Sequence, residues 1–278
     1  MARQPNTERS GGLLFALYTL VKPPTFEART PTLEGVRYSD RAVRRRALAP
    51  LCDIYLPDSG ESHPSVVVIH GGGFVIGHRK MKPVRLVATR LVEAGFAVCA
   101  VDYRLLFRGG GIKEQLDDVE LAANYWRSHC IEHGCDPEQV SLAGFSAGAA
   151  LAMLHAGRAA RPYHKLVSIY GPSDFSRVEG RQANLLMRMV MGTSDRGVWL
   201  EYSPHTLINT PTPMLLIHGE ADRMVPVSHA HELHRIRTEA GLPTQIEIVE
   251  GMRHGFVNNA ELPETDRAIA RAIEFLSL

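Results

Sequence analysis

The chain has 278 residues, 45% of them apolar and 22% charged, with a formal net charge of +1. That length suits one α/β domain with a small insertion, and the apolar share is ordinary for a globular protein. A charge so close to zero gives no electrostatic basis for binding nucleic acid or an anionic membrane.

Residues 1–40 form a mixed N-terminal segment. Its apolar run, Leu13 to Val21, ends at Pro23-Pro24, which cannot continue a helix. The run is shorter than the roughly 20 residues that cross a bilayer, and no convincing small-x-small cleavage site follows it. It is read as a helix packing over the functional site or against the core, with attachment to a lipid interface as the competing reading. Stable membrane insertion is not expected. Arg41, Arg44, Arg45 and Arg46 make a short basic cluster, read as a solvated edge ahead of a strand.

Strand and helix patterns then alternate. The strands are placed at 66–70, 96–102, 139–144, 166–170, 213–219 and 244–249, and the helices near 84–94, 114–132, 147–158, 227–240 and 265–277. This alternation predicts a mostly parallel twisted sheet with helices on both faces, in a single domain over 1–278. Ligands then bind at the carboxyl ends of the strands. Residues 173–210 are longer than an ordinary crossover and are read as a small cap. Met187, Met189 and Met191 there suit either a pliable pocket or plain helix packing. Gly109-Gly110-Gly111 is a turn; no Lys-Ser/Thr follows it to make a phosphate loop.

The chemistry gathers at strand ends. His70-Gly71-Gly72-Gly73-Phe74 follows the charge-free run Val66 to Ile69. Glycines there let the backbone bend and turn bare N–H groups towards one point, as an oxyanion requires. Gly144-Phe145-Ser146-Ala147-Gly148 stands between a strand pattern and a helix pattern. A serine on such a sharp turn, with small neighbours, is a nucleophile elbow. The amides of Gly72, Gly73 and Ala147 are assigned to the oxyanion, and His70 to bracing its loop.

A serine nucleophile needs a base, and the base needs an orienting carboxylate. Asp222 lies just past the strand pattern 213–219 and is chosen as the acid, with Glu220 as its competitor. His254 lies beyond the next strand pattern, on a loop of small residues, and is chosen as the base. The chain has thirteen histidines, so position and not composition selects this one. His229, His231 and His234 are read as surface residues of a helix: a His-Glu-x-x-His zinc motif would need histidine where Arg235 stands. No metal or organic cofactor is expected.

Cys52 and Cys99 fall in or beside strand patterns and read as buried thiols. Cys130 and Cys135 could pair only if their loop brought them together. No Cys-x-x-Cys occurs, which fits a reducing, cytoplasmic setting.

These motifs, with Val101-Asp102-Tyr103-Arg104-Leu105, His218-Gly219-Glu220-Ala221-Asp222, Val225-Pro226 and His254-Gly255-Phe256, resemble the α/β-hydrolase superfamily. The chain is similar to hormone-sensitive-lipase-like and acetyl-hydrolase-type carboxylesterases from about Asp53 to its end. Asp53-Ile54-Tyr55-Leu56-Pro57 resembles the first strand of such esterases. Hormone-sensitive-lipase relatives usually carry an acid before the nucleophile and a second glycine after it. Phe145 and Ala149 stand there, which looks more like feruloyl and acetyl esterases and arylformamidases. The resemblance implies an α/β-hydrolase fold and a Ser146–His254–Asp222 triad acting on a small-molecule ester of short acyl chain. An arylformamidase or an amide-cleaving hydrolase is the alternative, because one constellation serves all three bonds. A homodimer is left open.

Overall fold

Short β-branched runs without charge make strands that are buried on both faces. Alternate side chains then feed two separate cores. The computed structural model describes residues 26–42, 48–58, 62–207 and 210–278. The readings of the apolar run at 13–21 and of Arg44, Arg45 and Arg46 lie outside these residues.

Eight strands form one sheet: β1 (Leu33–Arg37), β2 (Leu51–Tyr55), β3 (His63–Ile69), β4 (Ala97–Val101), β5 (Cys135–Phe145), β6 (Leu166–Ile169), β7 (Met214–Gly219) and β8 (Thr244–Val249). Their order is β1-β2-β4-β3-β5-β6-β7-β8. β2 is antiparallel to both β1 and β4, and every other pairing is parallel. The Asp53 segment is therefore the second strand and not the first. β1 escapes the sequence pattern because it is a half-exposed edge interrupted by Gly35, whose φ of 66° breaks the register.

The helices are α1 (Lys82–Glu93), α2 (Ile112–His129), α3 (Ala147–Arg158), α4 (Arg181–Met191), α5 (Arg196–Glu201), α6 (Ser228–Glu239) and α7 (Pro263–Ser277). Pro83 and Pro263 stand in the first turns of α1 and α7, where a missing N–H costs nothing. Gly111 caps α2, its amide donating to Glu114 Oε2 at 2.8 Å. In β3, Val66 and Val68 pack with α1 and α7, through Val84, Leu91 and Phe275. Val67 and Ile69 pack with α2 and α3 on the other face, through Trp126 and Leu151.

The connection from β6 to β7 carries α4 and α5. Met187 and Met191 are buried in the core with Phe74 and Phe175, while Met189 and Leu185 point outward. The three methionines therefore do not share one pocket: their spacing on a helix sends the middle one to the opposite side. Arg41 is no solvated edge residue either. Its guanidinium meets the fully buried Asp118 carboxylate at 3.2 Å. All four cysteines are buried free thiols. Among the described residues no helix is long and apolar enough to cross a membrane.

Candidate active site

Ser146 joins β5 to α3 with φ 50° and ψ −118°, a conformation that L-residues rarely adopt. Such strain costs about 1–3 kcal/mol and persists only where the surroundings enforce it. Here the Ser146 amide continues the sheet by donating to Ile169 O at 2.9 Å, while its carbonyl already accepts from Ala149 and Ala150 of the helix. Both flanking glycines are sterically required. A Cβ on Gly144 would lie 2.5 Å from Gly148 O, and one on Gly148 would lie 2.2 Å from His70 O.

The second contact shows that α3 begins directly against the loop after β3. A Cβ on Gly71 would lie 3.4 Å from Ser146 Cβ, so that loop borders the serine. Gly72 has φ 123° and leaves no room for a side chain, since its Cβ would fall 1.8 Å from Ile76 O. Gly73 has φ 60° and open space on its Cβ side. Ala147 heads α3, where the first amides lack helical acceptors.

His70 sits under this loop and holds it as expected. Its Nδ1 is 2.7 Å from Gly71 O, so Nδ1 is the protonated nitrogen. Its ring stacks on Tyr103 at 4.2 Å, and Tyr103 donates its hydroxyl hydrogen to His70 O at 3.0 Å. Burial pushes the imidazole down to about 4, so it stays neutral. The far end of the loop is tied by Arg79. Its Nε donates to Asp53 Oδ1 at 2.7 Å and its amide to Asp102 Oδ1 at 2.6 Å, and its guanidinium also pairs with Asp102 Oδ2.

His254 lies between β8 and α7, followed by Gly255 at φ 76°. Its Nε2 is 2.9 Å from Ser146 Oγ and its Nδ1 is 2.7 Å from Asp222 Oδ2. The structure thus brings together three residues that are 108 and 32 positions apart in the chain. Asp222 Oδ1 accepts the amides of Met224 and Val225, both at 2.9 Å. Burial alone would raise the Asp222 carboxyl. Hydrogen bonds from His218, His254 and Val225, with the His254 charge, outweigh it and hold the group well below the usual carboxylate range. Glu220 turns away, accepting the Gly251 amide at 3.0 Å.

Two neighbours of the site went unassigned in the sequence. Tyr170, at φ 43°, lays its ring against His254 with centroids 4.8 Å apart. His218, inside the strand pattern, lies 3.4 Å from Asp222 Oδ2. The sequence signal for each was only its place at a strand end. His229 departs from the surface reading. Its ring turns inward, and Nδ1 accepts the amides of Ser173 and Asp174 at 3.3 Å. Among the described residues no cluster of three or more His, Cys, Asp or Glu could hold a metal ion.

An eight-stranded, mostly parallel sheet with a strained serine at the β5–α3 turn defines an α/β-hydrolase fold. The BD-FAE family model matches residues 52–236, and the chain belongs to the BD-FAE family. Esterase LipC of Mycobacterium tuberculosis is 28% identical, over 90% of this chain and 69% of its own length. A probable isoprenylcysteine alpha-carbonyl methylesterase of Arabidopsis thaliana is 24% identical over 73% of this chain; the chain spans only 48% of that relative's length. Among solved structures, a truncated carbohydrate esterase from gut microbiota superposes with TM-score 0.76 at 20% identity, covering 92% of this chain and 98% of its own. The propionate-bound esterase Est2 of Thermogutta terrifontis gives TM-score 0.74 at 23% identity, covering 89% and 94%. At such identities these structures speak for the fold alone.

Proposed function

We propose that this protein is a serine carboxylesterase that hydrolyses short-chain acyl esters through an acyl-enzyme. The observation that carries the reading is the hydrogen-bonded line from Ser146 Oγ through His254 to Asp222 Oδ2. His254 Nε2 takes the Ser146 proton as Oγ attacks the ester carbonyl. Asp222 keeps the His254 hydrogen on Nδ1 and stabilises the imidazolium. The amides of Gly72, Gly73 and Ala147 receive the oxyanion, each donor of this kind being worth about 3 kcal/mol. His254 then protonates the leaving alcohol, and water repeats the cycle on the acyl-enzyme. Every step uses groups of the chain and water.

The family membership and the ester-cleaving names of the relatives support an ester substrate. We read residues 173–210 as a small cap. Its two helices, 11 and 6 residues long, make it a small cap, and a small cap favours short acyl groups. The test is hydrolysis of p-nitrophenyl esters from acetate to palmitate by wild type and Ser146→Ala. Turnover should peak at short chains and vanish in the variant, with the fold kept. A peak at long chains would overturn the chain-length preference. Turnover that survives Ser146→Ala would overturn the mechanism, and none in the wild type would move the search to N-formyl aryl amides and peptides.

A further inference from the structure

One buried side chain at the carboxyl end of β7 has no part in the reaction as written. His218 is 1% exposed and stands four residues before Asp222. Its Nε2 lies 2.8 Å from Val225 O and 3.4 Å from Asp222 Oδ2. A carbonyl oxygen only accepts, so Nε2 carries a hydrogen. That N–H stands between two oxygens, with Val225 O the nearer, in a three-centre arrangement. Asp222 Oδ2 is also the oxygen that accepts from His254 Nδ1 at 2.7 Å.

We infer that His218 is a positioning residue for the Ser146–His254–Asp222 reaction: its Nε2–H fixes the turn after β7 through Val225 O and draws charge from the oxygen that holds His254. The inference rests on the serine-hydrolase reading of the site. Holding Val225 O pins the residue whose own amide binds Asp222 Oδ1 at 2.9 Å. The carboxylate is therefore held on both oxygens by one short turn.

The electrostatic consequence has a definite sign. A carboxylate oxygen shared between two N–H donors is less basic than one with a single donor. Removing His218 returns that charge to the contact with His254, whose imidazolium is then better stabilised. His254 keeps its proton to higher pH, and the acid limb of kcat/KM moves up. Loss of structure alone would lower activity without moving the limb. Other groups near this corner are His229 on α6, kept neutral because burial pushes it down to about 4, and Tyr170, which burial and then the Asp222 charge push up. Asp174 and Arg177, paired at 3.0 Å, face it from the β6–β7 connection, while Glu220 and Arg223 flank Asp222 on its own turn. The His218 charge also lowers His229, and both His218→Leu and His218→Gln remove that charge, so a limb that moves in the leucine variant alone does not come from His229.

His218→Leu removes the donor at similar volume, and His218→Gln returns an amide N–H close to the Nε2 position. Both are compared with wild type on p-nitrophenyl acetate across pH, with circular dichroism melts as the check on folding. The leucine variant should lose at least tenfold in kcat with KM within about threefold, and its acid limb should rise by about half a unit or more. The glutamine variant should recover most of kcat, with the limb at the wild-type position. A folded leucine variant whose limb does not move overturns the inference, whatever its kcat. Should that variant fail to fold, ¹⁵N-histidine spectra of the wild type decide: the Nε2–H tautomer of His218 is expected, and Nδ1–H overturns the proposal. Wild type without Ser146-dependent turnover would instead sink the serine-hydrolase reading, and this positioning role with it.

Discussion

Replacing Asp222 by Asn changes one atom of the site, and the consequence can be followed bond by bond. Asp222 Oδ1 accepts two backbone amides at 2.9 Å, so the oxygen of Asn must take that place or two donors would face its NH₂. The NH₂ group then lies where Oδ2 met His254 Nδ1 at 2.7 Å and where the His218 N–H points. His254 can satisfy it only by accepting at Nδ1, which moves its hydrogen to Nε2. Nε2 faces Ser146 Oγ at 2.9 Å and can no longer take the serine proton. Loss of the correct tautomer costs about 10⁴-fold in kcat, or about 5 kcal/mol of barrier. KM should change little, because the Asp222 side chain is fully buried behind His254. The assay is steady-state hydrolysis of a short p-nitrophenyl ester by Asp222→Asn, with Glu220→Gln as comparison. Glu220 binds only at the surface, through the Gly251 amide, and its variant should stay within a few-fold of wild type. A kcat for Asp222→Asn within tenfold of wild type, or a larger loss for Glu220→Gln, would refute the assignment of the acid.

Gly148→Ala should lower kcat by about 10²-fold, because its Cβ would press on His70 O and Ile69 O at 2.2 and 2.4 Å and force the α3 amides away from the glycine loop; kinetics at wild-type level would show that the loop and helix yield freely. Arg79→Met should destabilise the fold by about 3–5 kcal/mol, since it strands the buried Asp53 and Asp102 carboxylates without their shared cation. A denaturant midpoint close to wild type would count against that pairing. Stability should also fall with acid between about pH 6.5 and 4. Burial pushes His70, His155 and His229 down to about 4, whereas an unfolded histidine titrates near 6.5. Their contribution is complete above the unfolded value and is lost as pH drops towards the folded one, because the unfolded chain then binds more protons. Urea melts at pH 7.5 and pH 5 measure it, and equal unfolding free energies at both would contradict the neutral burial of these rings.

The strained strand-to-helix turn at Ser146 was legible in the sequence because its requirements are local. A strand pattern, a serine with glycine two residues on either side and a helix pattern are enough, and the structure adds only which backbone atoms demand Gly144 and Gly148. The parallel sheet was legible too, since Val66 to Ile69 and Met214 to Gly219 are charge-free runs buried on both faces. β1 was not, because a half-exposed edge strand interrupted by a glycine has neither alternation nor a continuous apolar run. The fates of Met187, Met189 and Met191 depended on which side of α4 met Phe74 and Phe175, and composition carries no such information.

Chain order narrows the acid and base to a few residues, but the choice between Asp222 and Glu220 belongs to tertiary structure. Two acids two positions apart differ in which way a turn aims them, and that is decided by Met252 O and Val249 O accepting the amides of Ala221 and Glu220. The same holds for the histidines. Thirteen imidazoles are alike in sequence, and distance alone separates His254 at the serine, His218 behind the acid, His70 beneath the loop and His229 folded inward. Backbone periodicity and steric need are written residue by residue along the chain. The contacts of a polar side chain are set by residues remote in sequence, so only the folded structure determines them.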